Sequence, residues 1–250
     1  IEERGYKKML NIPILYISLM GSDRLPTIKS VLKGIGDTYH ISAIWGEHPI
    51  SGYIQPAYYD DHNGCTYAEV GCSLSHIKAA KFMYDNNWEY CLIIEDDAVF
   101  SLVDKWDKSL KEITYELTKK DKDWTTCQLF WSKRRNPSKE YETEYEKITG
   151  FYKTQGVGCV AYLLSRRGAK IIKDIKNLNS KENLSPEAYN KFNPKMVADT
   201  LIYNFNGAKN YIYYPRLFKI NTDMKSFLRF SDKNRLVRIN KQIEKEIQGI

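Results

Sequence analysis

At 250 residues, with 42% hydrophobic and 28% charged residues, the chain has the composition of a folded globular protein and the length for one large domain or two small ones. Its net charge of +7 suits anionic partners, namely nucleotides, phosphorylated substrates or an acidic membrane surface, and equally suits solubility alone. The sequence contains no apolar stretch of membrane-spanning length and no signal-peptide pattern, so we expect a cytoplasmic protein that is at most peripheral to the membrane.

The cysteines also favour a reducing compartment such as the cytoplasm. The chain has an odd number of cysteines without a C-x-x-C pair, namely Cys65, Cys72, Cys91, Cys127 and Cys159. Three of them lie in apolar, strand-like runs, so we expect buried free thiols in a reducing environment. Cys72 and His76 are one helical turn apart, a spacing that a metal ion can bridge, but no second pair completes a zinc site. A structural histidine is the commoner outcome.

Strand-like and helix-like segments alternate through the first half of the chain. After a charged arm over residues 1–11, apolar runs predict four strands, at residues 12–19, 39–45, 90–94 and 126–131. Helices are predicted between them, at about residues 23–36, 66–86 and 106–119. The first helix places Ile28, Val31, Leu32 and Ile35 on one apolar face. The second begins with Thr66 and Glu69 as a capping box.

The second half of the chain is less regular. Residues 132–149 form a charged loop or a lid. Strands are predicted at residues 151–154, 157–164 and 211–220, and helices at 165–175, 197–205 and from Ser231 to the end. This order predicts a single α/β domain with a mostly parallel central sheet flanked by helices and a less regular carboxyl-terminal part.

The apolar strand over residues 90–94 ends in three consecutive carboxylates, Glu95, Asp96 and Asp97. Ligands of open α/β sheets bind outside the carboxyl ends of the strands, and adjacent carboxylates repel one another, so we expect a cation beside them. Hard oxygen ligands suit Mg²⁺ or Mn²⁺, which would bridge the phosphates of a nucleotide. A solvated loop is the alternative. Strand alternation directs Glu95 and Asp97 to one side and Asp96 to the other.

A second polar segment follows the first predicted strand. Ile17, Ser18 and Leu19 end that strand, and Arg24 lies at the start of the next helix, which is a suitable place for a nucleotide. Neither a Gly-x-Gly-x-x-Gly sequence nor a P-loop occurs, so dinucleotide binding and NTPase activity lose their main support.

Five sequence blocks occur in order between residues 12 and 203. They are Ile-Ser-Leu with a nearby Arg (17–19 and 24), Glu-x-Gly-Cys-x-Leu-Ser-His (69–76), Glu-Asp-Asp (95–97), Gly-x-x-Ala-Tyr-Leu-x-Ser-x-x-Gly-Ala (158–169) and Val-Ala-Asp (197–199). The set resembles glycosyltransferase family 25, which contains lipooligosaccharide galactosyltransferases and the collagen β-galactosyltransferase. The last block departs from the family, which usually has Pro-Val or Pro-Ile directly before the Asp.

The resemblance implies a GT-A-like fold, with a nucleotide-sugar-binding half over residues 12–131, an acceptor-side half over 150–230 and a basic terminal helix over 231–250. It implies inverting transfer of galactose or glucose from a UDP-sugar to a hydroxyl of a glycan, a lipid-linked oligosaccharide or a protein, as in lipopolysaccharide biosynthesis. Glu-Asp-Asp corresponds to the DxD-type element. The implied donor-binding residues are Ile17, Ser18, Leu19, Arg24, Ser75, His76, Glu95, Asp96 and Gly158.

Chemistry assigns roles to the acids. A nucleoside diphosphate is a poor leaving group until its charge is neutralised, so a divalent ion is expected across its phosphates. We predict Asp97 as the principal metal ligand, with Glu95 contacting ribose or metal through water and Asp96 supporting the sugar. The acceptor hydroxyl needs a base, for which Asp199 is the first candidate and Glu187 the second. A helix-surface acid is an equally favoured interpretation of Asp199.

Two other classes of function stay open at this stage. A catalytically inactive sugar-nucleotide-binding or scaffold protein with the same fold would bind UDP without turnover. A nucleic-acid-binding protein would show strongly salt-dependent binding, but no basic stripe interleaved with aromatic residues occurs, so nucleic acid is the least favoured partner. The basic terminal segment is interpreted as a solvated helix face in preference to a membrane-binding surface.

Overall fold

The computed structural model describes residues 7–45, 67–132, 149–153, 157–175, 197–223 and 233–249. Several predictions fall outside these ranges. They concern most of the charged loop at 132–149, the capping residue Thr66 and the second base candidate Glu187.

Within the described residues, seven strands form the central sheet. They are β1 (Ile14–Ser18), β2 (Thr38–Ser42), β3 (Tyr90–Glu95), β5 (Thr126–Gln128), β6 (Gly150–Tyr152), β7 (Ala161–Ser165) and β8 (Asn210–Tyr214). Their spatial order is β2-β1-β3-β7-β5-β8-β6. Two short strands, β4 (Ala98–Val99) and β9 (Lys219–Ile220), pair with each other in antiparallel fashion.

The direction of the strands confirms the predicted sheet. β1 is parallel to β2 and β3, and β5 is parallel to β8, whereas β7 is antiparallel to β3 and β5, and β6 is antiparallel to β8. Five of these seven described strands therefore point the same way, and β6 and β7 oppose them. A mixed α/β sheet that is mostly parallel results.

Helices cover both faces of the sheet. They are α1 (Arg24–Leu32), α2 (Tyr67–Asp85), α3 (Leu110–Lys120), α4 (Arg166–Ile172), α5 (Ala198–Asn204) and α6 (Lys233–Gln248). Alternate residues of β3 show the two layers, because Leu92 and Ile94 pack with α1, α3 and α6, whereas Cys91 and Ile93 pack with α2, α4 and α5. Burial on both faces explains why β3 is a continuous apolar run. No helix among the described residues is both long and apolar enough to cross a membrane.

Two helix predictions are corrected by the structure. The helix expected from residue 106 begins at Leu110, because Ser109 accepts a hydrogen bond from the Glu112 backbone and the Glu112 carboxylate accepts one from the Ser109 backbone. Trp106 precedes this capping box and is buried in the core. Val31, expected on the apolar face of α1, is 43% exposed.

The carboxyl edge of the sheet is where β1 and β3 end and where the antiparallel β7 begins. Register pairs Ile17 with Glu95, and Ile94 with Ala161. The backbone N–H of Glu95 also donates to the carbonyl oxygen of Val160 over 2.9 Å. The segments at 17–24, 95–97 and 157–160, which are far apart in sequence, therefore meet at this edge.

Candidate functional site

Asp96 points towards β1 and α1. Its Oδ2 accepts a hydrogen bond from the Ser18 hydroxyl over 2.7 Å, and its Oδ1 accepts one from Nη1 of Arg24 over 3.1 Å. Burial raises the pKa of Asp96, while the hydrogen bond from Ser18 and the charge of Arg24 oppose that rise. Two residues predicted to contact a donor thus hold the middle acid of the cluster in place.

Glu95 points the other way, towards α2, as strand alternation predicts. Its Oε1 lies 3.1 Å from Nε2 of His76 and 3.8 Å from Sγ of Cys72. His76 is fully buried, and its Nδ1 lies 3.0 Å from the hydroxyl of Tyr162 in β7. Both ring nitrogens of His76 are therefore engaged, one of them with the first acid of the cluster.

Asp97 differs from both neighbours. Its Oδ1 is buried and has no hydrogen-bond partner among the described residues, although its backbone oxygen accepts a bond from Asn221 over 2.7 Å. Burial, followed by the charges of Glu95 and Asp96, raises the pKa of Asp97 well above its usual value. A buried carboxylate oxygen without a partner calls for an explanation, and an oxygen-seeking divalent cation fits this donor set.

Asp199 lies in the first turn of α5 and is half-buried. After burial, the charges of Glu95, Asp199 and Asp97 raise the pKa of Cys72, so one thiol lies within electrostatic reach of all three acids. The charge of Asp199 likewise raises the pKa of Cys159, next to the start of β7. The structure thereby brings the predicted base to the carboxyl edge.

Gly158 lies at the same edge in a backbone conformation with φ of 114°, which favours glycine. A Cβ atom there would lie 3.1 Å from the ring of Phe130. Its carbonyl oxygen accepts hydrogen bonds from the side-chain amide of Gln128 over 2.9 Å and the hydroxyl of Tyr203 over 3.3 Å. Glycine at this position lets the chain enter β7 close to the acids.

The remaining predicted donor-binding residues, Ile17, Leu19 and Ser75, lie in or beside the elements that form the carboxyl edge. Ile17 is buried between β2 and β3, and Leu19 is half-buried just beyond β1. The buried hydroxyl of Ser75 donates to the carbonyl of Gly71 over 2.6 Å and accepts from the backbone of Ile44 over 2.9 Å. Ser75 therefore ties α2 to the chain that follows β2.

Two contacts of this site are not predicted by the sequence. Tyr162 was placed within a predicted strand without a role, although the alternation of β7 buries it facing α2. Cys72 was paired with His76 but lacked a third partner, which the fold supplies as Glu95. The sequence signal that could have predicted this contact is a Cys and a His one helical turn apart, followed along the chain by an acid at the end of a strand.

The fold is that of an α/β protein with a cluster of carboxylates at the carboxyl ends of its strands. The sequence model of glycosyltransferase family 25, described as an LPS biosynthesis protein, matches residues 11–192, more than two thirds of the chain. The chain therefore belongs to glycosyltransferase family 25 and is a transferase that moves a sugar from a donor to an acceptor. No curated protein sequence matches it. The family model ends at residue 192, before Asp199. The assignment of Asp199 to this group of acids therefore depends on the structure.

Proposed function

We propose that the protein transfers a hexose, galactose or glucose, from a UDP-sugar to a hydroxyl of a glycan, lipid-linked or protein acceptor. The transfer depends on Mn²⁺ or Mg²⁺ and inverts the anomeric centre. Membership of family 25 supports the sugar transfer. The observation that carries the metal dependence is the buried Oδ1 of Asp97 beside Glu95 at the carboxyl edge, an oxygen that has no hydrogen-bond partner within the described part of the chain.

Asp97 and Glu95 are the residues that would hold the ion. Carboxylate oxygens combined with substrate phosphates are the usual environment of Mg²⁺-type ions. When bound, the ion neutralises the charge that develops on the departing diphosphate. Loss of the proton from Asp97 accompanies binding, since burial and neighbouring acids favour its neutral form in the protein alone.

Asp96 orients the donor in this proposal. Ser18 and Arg24 fix its carboxylate from the side of β1, so its position is set before any ligand arrives. A carboxylate held in this way accepts hydrogen bonds from sugar or ribose hydroxyls without first being reoriented.

Asp199 serves as the base. Its carboxylate takes the proton of the acceptor hydroxyl, and the acceptor oxygen forms a bond to the anomeric carbon. The bond from that carbon to the diphosphate oxygen breaks, and UDP leaves with the electron pair. One displacement with attack from the opposite face inverts the configuration.

The test measures UDP release from UDP-galactose and UDP-glucose with Mn²⁺ and with a chelator. We expect release to stop with the chelator and NMR of the product to show an inverted anomeric centre. Asp199→Asn should reduce release about 100-fold while still binding UDP, whereas an inactive scaffold would bind UDP without turnover in any form. Full activity in chelator, or a retained configuration, would overturn the proposal.

A further inference from the structure

Three side chains of different chemistry converge where α2 meets the end of β3. Cys72, His76 and Glu95 each offer one metal-ligating atom, and these atoms all lie within 4.8 Å of one another. Cys72 and His76 are one turn apart on α2 and face the same side, and Glu95 approaches from the strand. The thiol of Cys72 has no part in the proposed sugar transfer.

The two separations that involve Glu95 are close to those that a tetrahedral ion requires. The observed distances are 3.8 Å from Sγ of Cys72 to Oε1 of Glu95, and 3.1 Å from Nε2 of His76 to the same oxygen. Bonds of about 2.3 Å to sulfur and about 2.0 Å to nitrogen and oxygen, at tetrahedral angles, place such atoms about 3.5 Å and about 3.3 Å apart. Sγ of Cys72 and the imidazole of His76 lie within 4.8 Å of each other, against about 3.5 Å around a tetrahedral ion, so these two side chains must approach by as much as about 1.3 Å when the ion binds.

The surroundings of His76 are those of a metal-bound imidazole. Metal-ligating histidines usually direct their other ring nitrogen to a fixed partner, which sets the tautomer and the ring orientation. Nδ1 of His76 has that partner in the hydroxyl of Tyr162, 3.0 Å away. Both side chains are fully buried, and the Tyr162 ring packs edge-on against Tyr203 with centroids 5.8 Å apart. Nε2 is thus aimed at Glu95 by rigid neighbours.

We propose that Cys72, His76 and Glu95 form a Zn²⁺ site that shares Glu95 with the Mg²⁺-type donor set at Asp97. The ion replaces the thiol proton of Cys72, which leaves to solvent, and is bound by thiolate, neutral imidazole and carboxylate. Such ligands select zinc-like ions, whereas carboxylate and phosphate oxygens select Mg²⁺ and Mn²⁺. Three protein ligands leave the fourth position for water.

One consequence concerns regulation and rests on the proposed function. Glu95 belongs to both donor sets, so an ion at the Cys72 site withdraws that carboxylate from the diphosphate metal. Zn²⁺ therefore inhibits sugar transfer, and raising the concentration of Mn²⁺ restores it. Occupancy of the zinc site itself does not depend on any sugar-transfer activity.

The experiment titrates Co²⁺ into the metal-free protein and records its absorption spectrum. We expect a thiolate-to-cobalt charge-transfer band and tetrahedral ligand-field bands that saturate at one ion per chain and disappear when Zn²⁺ is added. Cys72→Ser should remove the charge-transfer band. Cys159→Ser, which alters a neighbouring buried thiol, should leave it in place, and so should Asp97→Asn.

Glu95→Gln provides a second variant should Cys72→Ser fail to fold. It keeps a hydrogen-bond acceptor for His76 but removes the anionic ligand, so Co²⁺ affinity should fall about tenfold or more. A wild type without the charge-transfer band, or a band that survives Cys72→Ser, overturns the site. If the charge-transfer band appears without UDP release, the zinc site is supported and the proposed sugar transfer is not. If UDP is released without the band, the sugar transfer is supported and the zinc site is overturned.

Discussion

Acidic residues lie at both edges of the described sheet, but Asp121 and Asp123 at the amino edge are paired more completely than Asp97 at the carboxyl edge. At the amino edge, before β5 and β8, Nζ of Lys209 lies 3.2 Å from both Asp121 and Asp123, and the Tyr211 hydroxyl donates to Asp121 over 3.0 Å. Burial would raise the pKa of Asp121, but these bonds and the Asp123 backbone N–H outweigh it and lower the pKa. At the carboxyl edge, burial and like charges raise the pKa of Asp97.

The difference shows which acids stabilise the fold and which are available to a ligand. An acid whose oxygens are all paired contributes to stability and has little to offer a ligand. A buried acid beside like charges lowers stability until a cation binds, so its presence indicates a site. Residue type alone does not separate the two edges, whereas the partners supplied by the fold do.

The largest expected effect is on turnover at the carboxyl edge. Asp97→Asn removes the proposed metal ligand while keeping its size, so UDP release in Mn²⁺ should fall about 1000-fold. Asp123→Asn makes the same change at the amino edge and should alter the rate by less than about twofold. Steady-state assays of both variants measure the rate of UDP release. Equal rates for the two variants would contradict the proposed difference between the two edges.

Asp199→Asn should reduce kcat about 100-fold, because the acceptor hydroxyl loses its base. Calorimetry should show UDP binding close to that of the wild type, since Asp199 does not contact the nucleotide in this account. Asp174→Asn, in an exposed pair with Lys173, is the matched control and should leave kcat unchanged. A large loss of UDP binding in Asp199→Asn would assign this residue to the donor site instead.

A third comparison concerns the two arginine–aspartate pairs. Arg24 and Asp96 are about one-tenth exposed, whereas Arg167 and Asp123 are about half exposed. Arg24→Gln should lower the free energy of unfolding by about 2 kcal/mol, because it leaves a poorly solvated carboxylate. Arg167→Gln should cost no more than about 1 kcal/mol. Denaturant titrations measure both values, and the reverse order would contradict the burial difference.

The smallest effect is the pH dependence of stability, which should have opposite signs at the two edges. The lowered pKa of Asp121 means that its stabilisation is present above the usual carboxyl pKa and is lost as pH falls through the folded-state pKa. Asp121→Asn should therefore cost about 1 kcal/mol at pH 7 and almost nothing at low pH.

Asp97 provides the opposite sign in the same pH series. Its raised pKa favours the protonated form, so its contribution is present below the usual carboxyl pKa and is lost as pH rises through the folded-state pKa. In metal-free protein, Asp97→Asn should raise the melting temperature at pH 8 and have little effect at pH 4. Two variants with parallel pH profiles would show that the edges do not differ.

Local patterns predicted much of this fold. Continuous apolar runs identified β1 and β3 because both faces of these strands are buried, and the acids were recognised because they follow β3 directly. The terminal helix predicted from Ser231 is also present, as α6, and it buries Ile239 and Ile243 in the core. Val31 was misjudged because its position at the margin of the apolar stripe of α1 leaves it in solvent.

Features that depend on pairing between distant segments could not be predicted from the sequence. The antiparallel placement of β7 beside β3 brings Gly158 and Tyr162 to the acids, and no local signal encodes that order. The contact of His76 with Glu95 joins a helix to a strand, and the pairing of Asp121 with Lys209 spans 88 residues. The difference between the two acidic edges therefore emerged only once the strands were assembled.

The most direct test of the account is a calorimetric titration of UDP into the wild type and Asp97→Asn, each with Mn²⁺ and with a chelator. We predict that Mn²⁺ tightens UDP binding to the wild type at least about tenfold and has no such effect on Asp97→Asn. UDP affinity that is the same with and without Mn²⁺ in the wild type, or equally metal-dependent in Asp97→Asn, would contradict a diphosphate–metal site at the carboxyl edge.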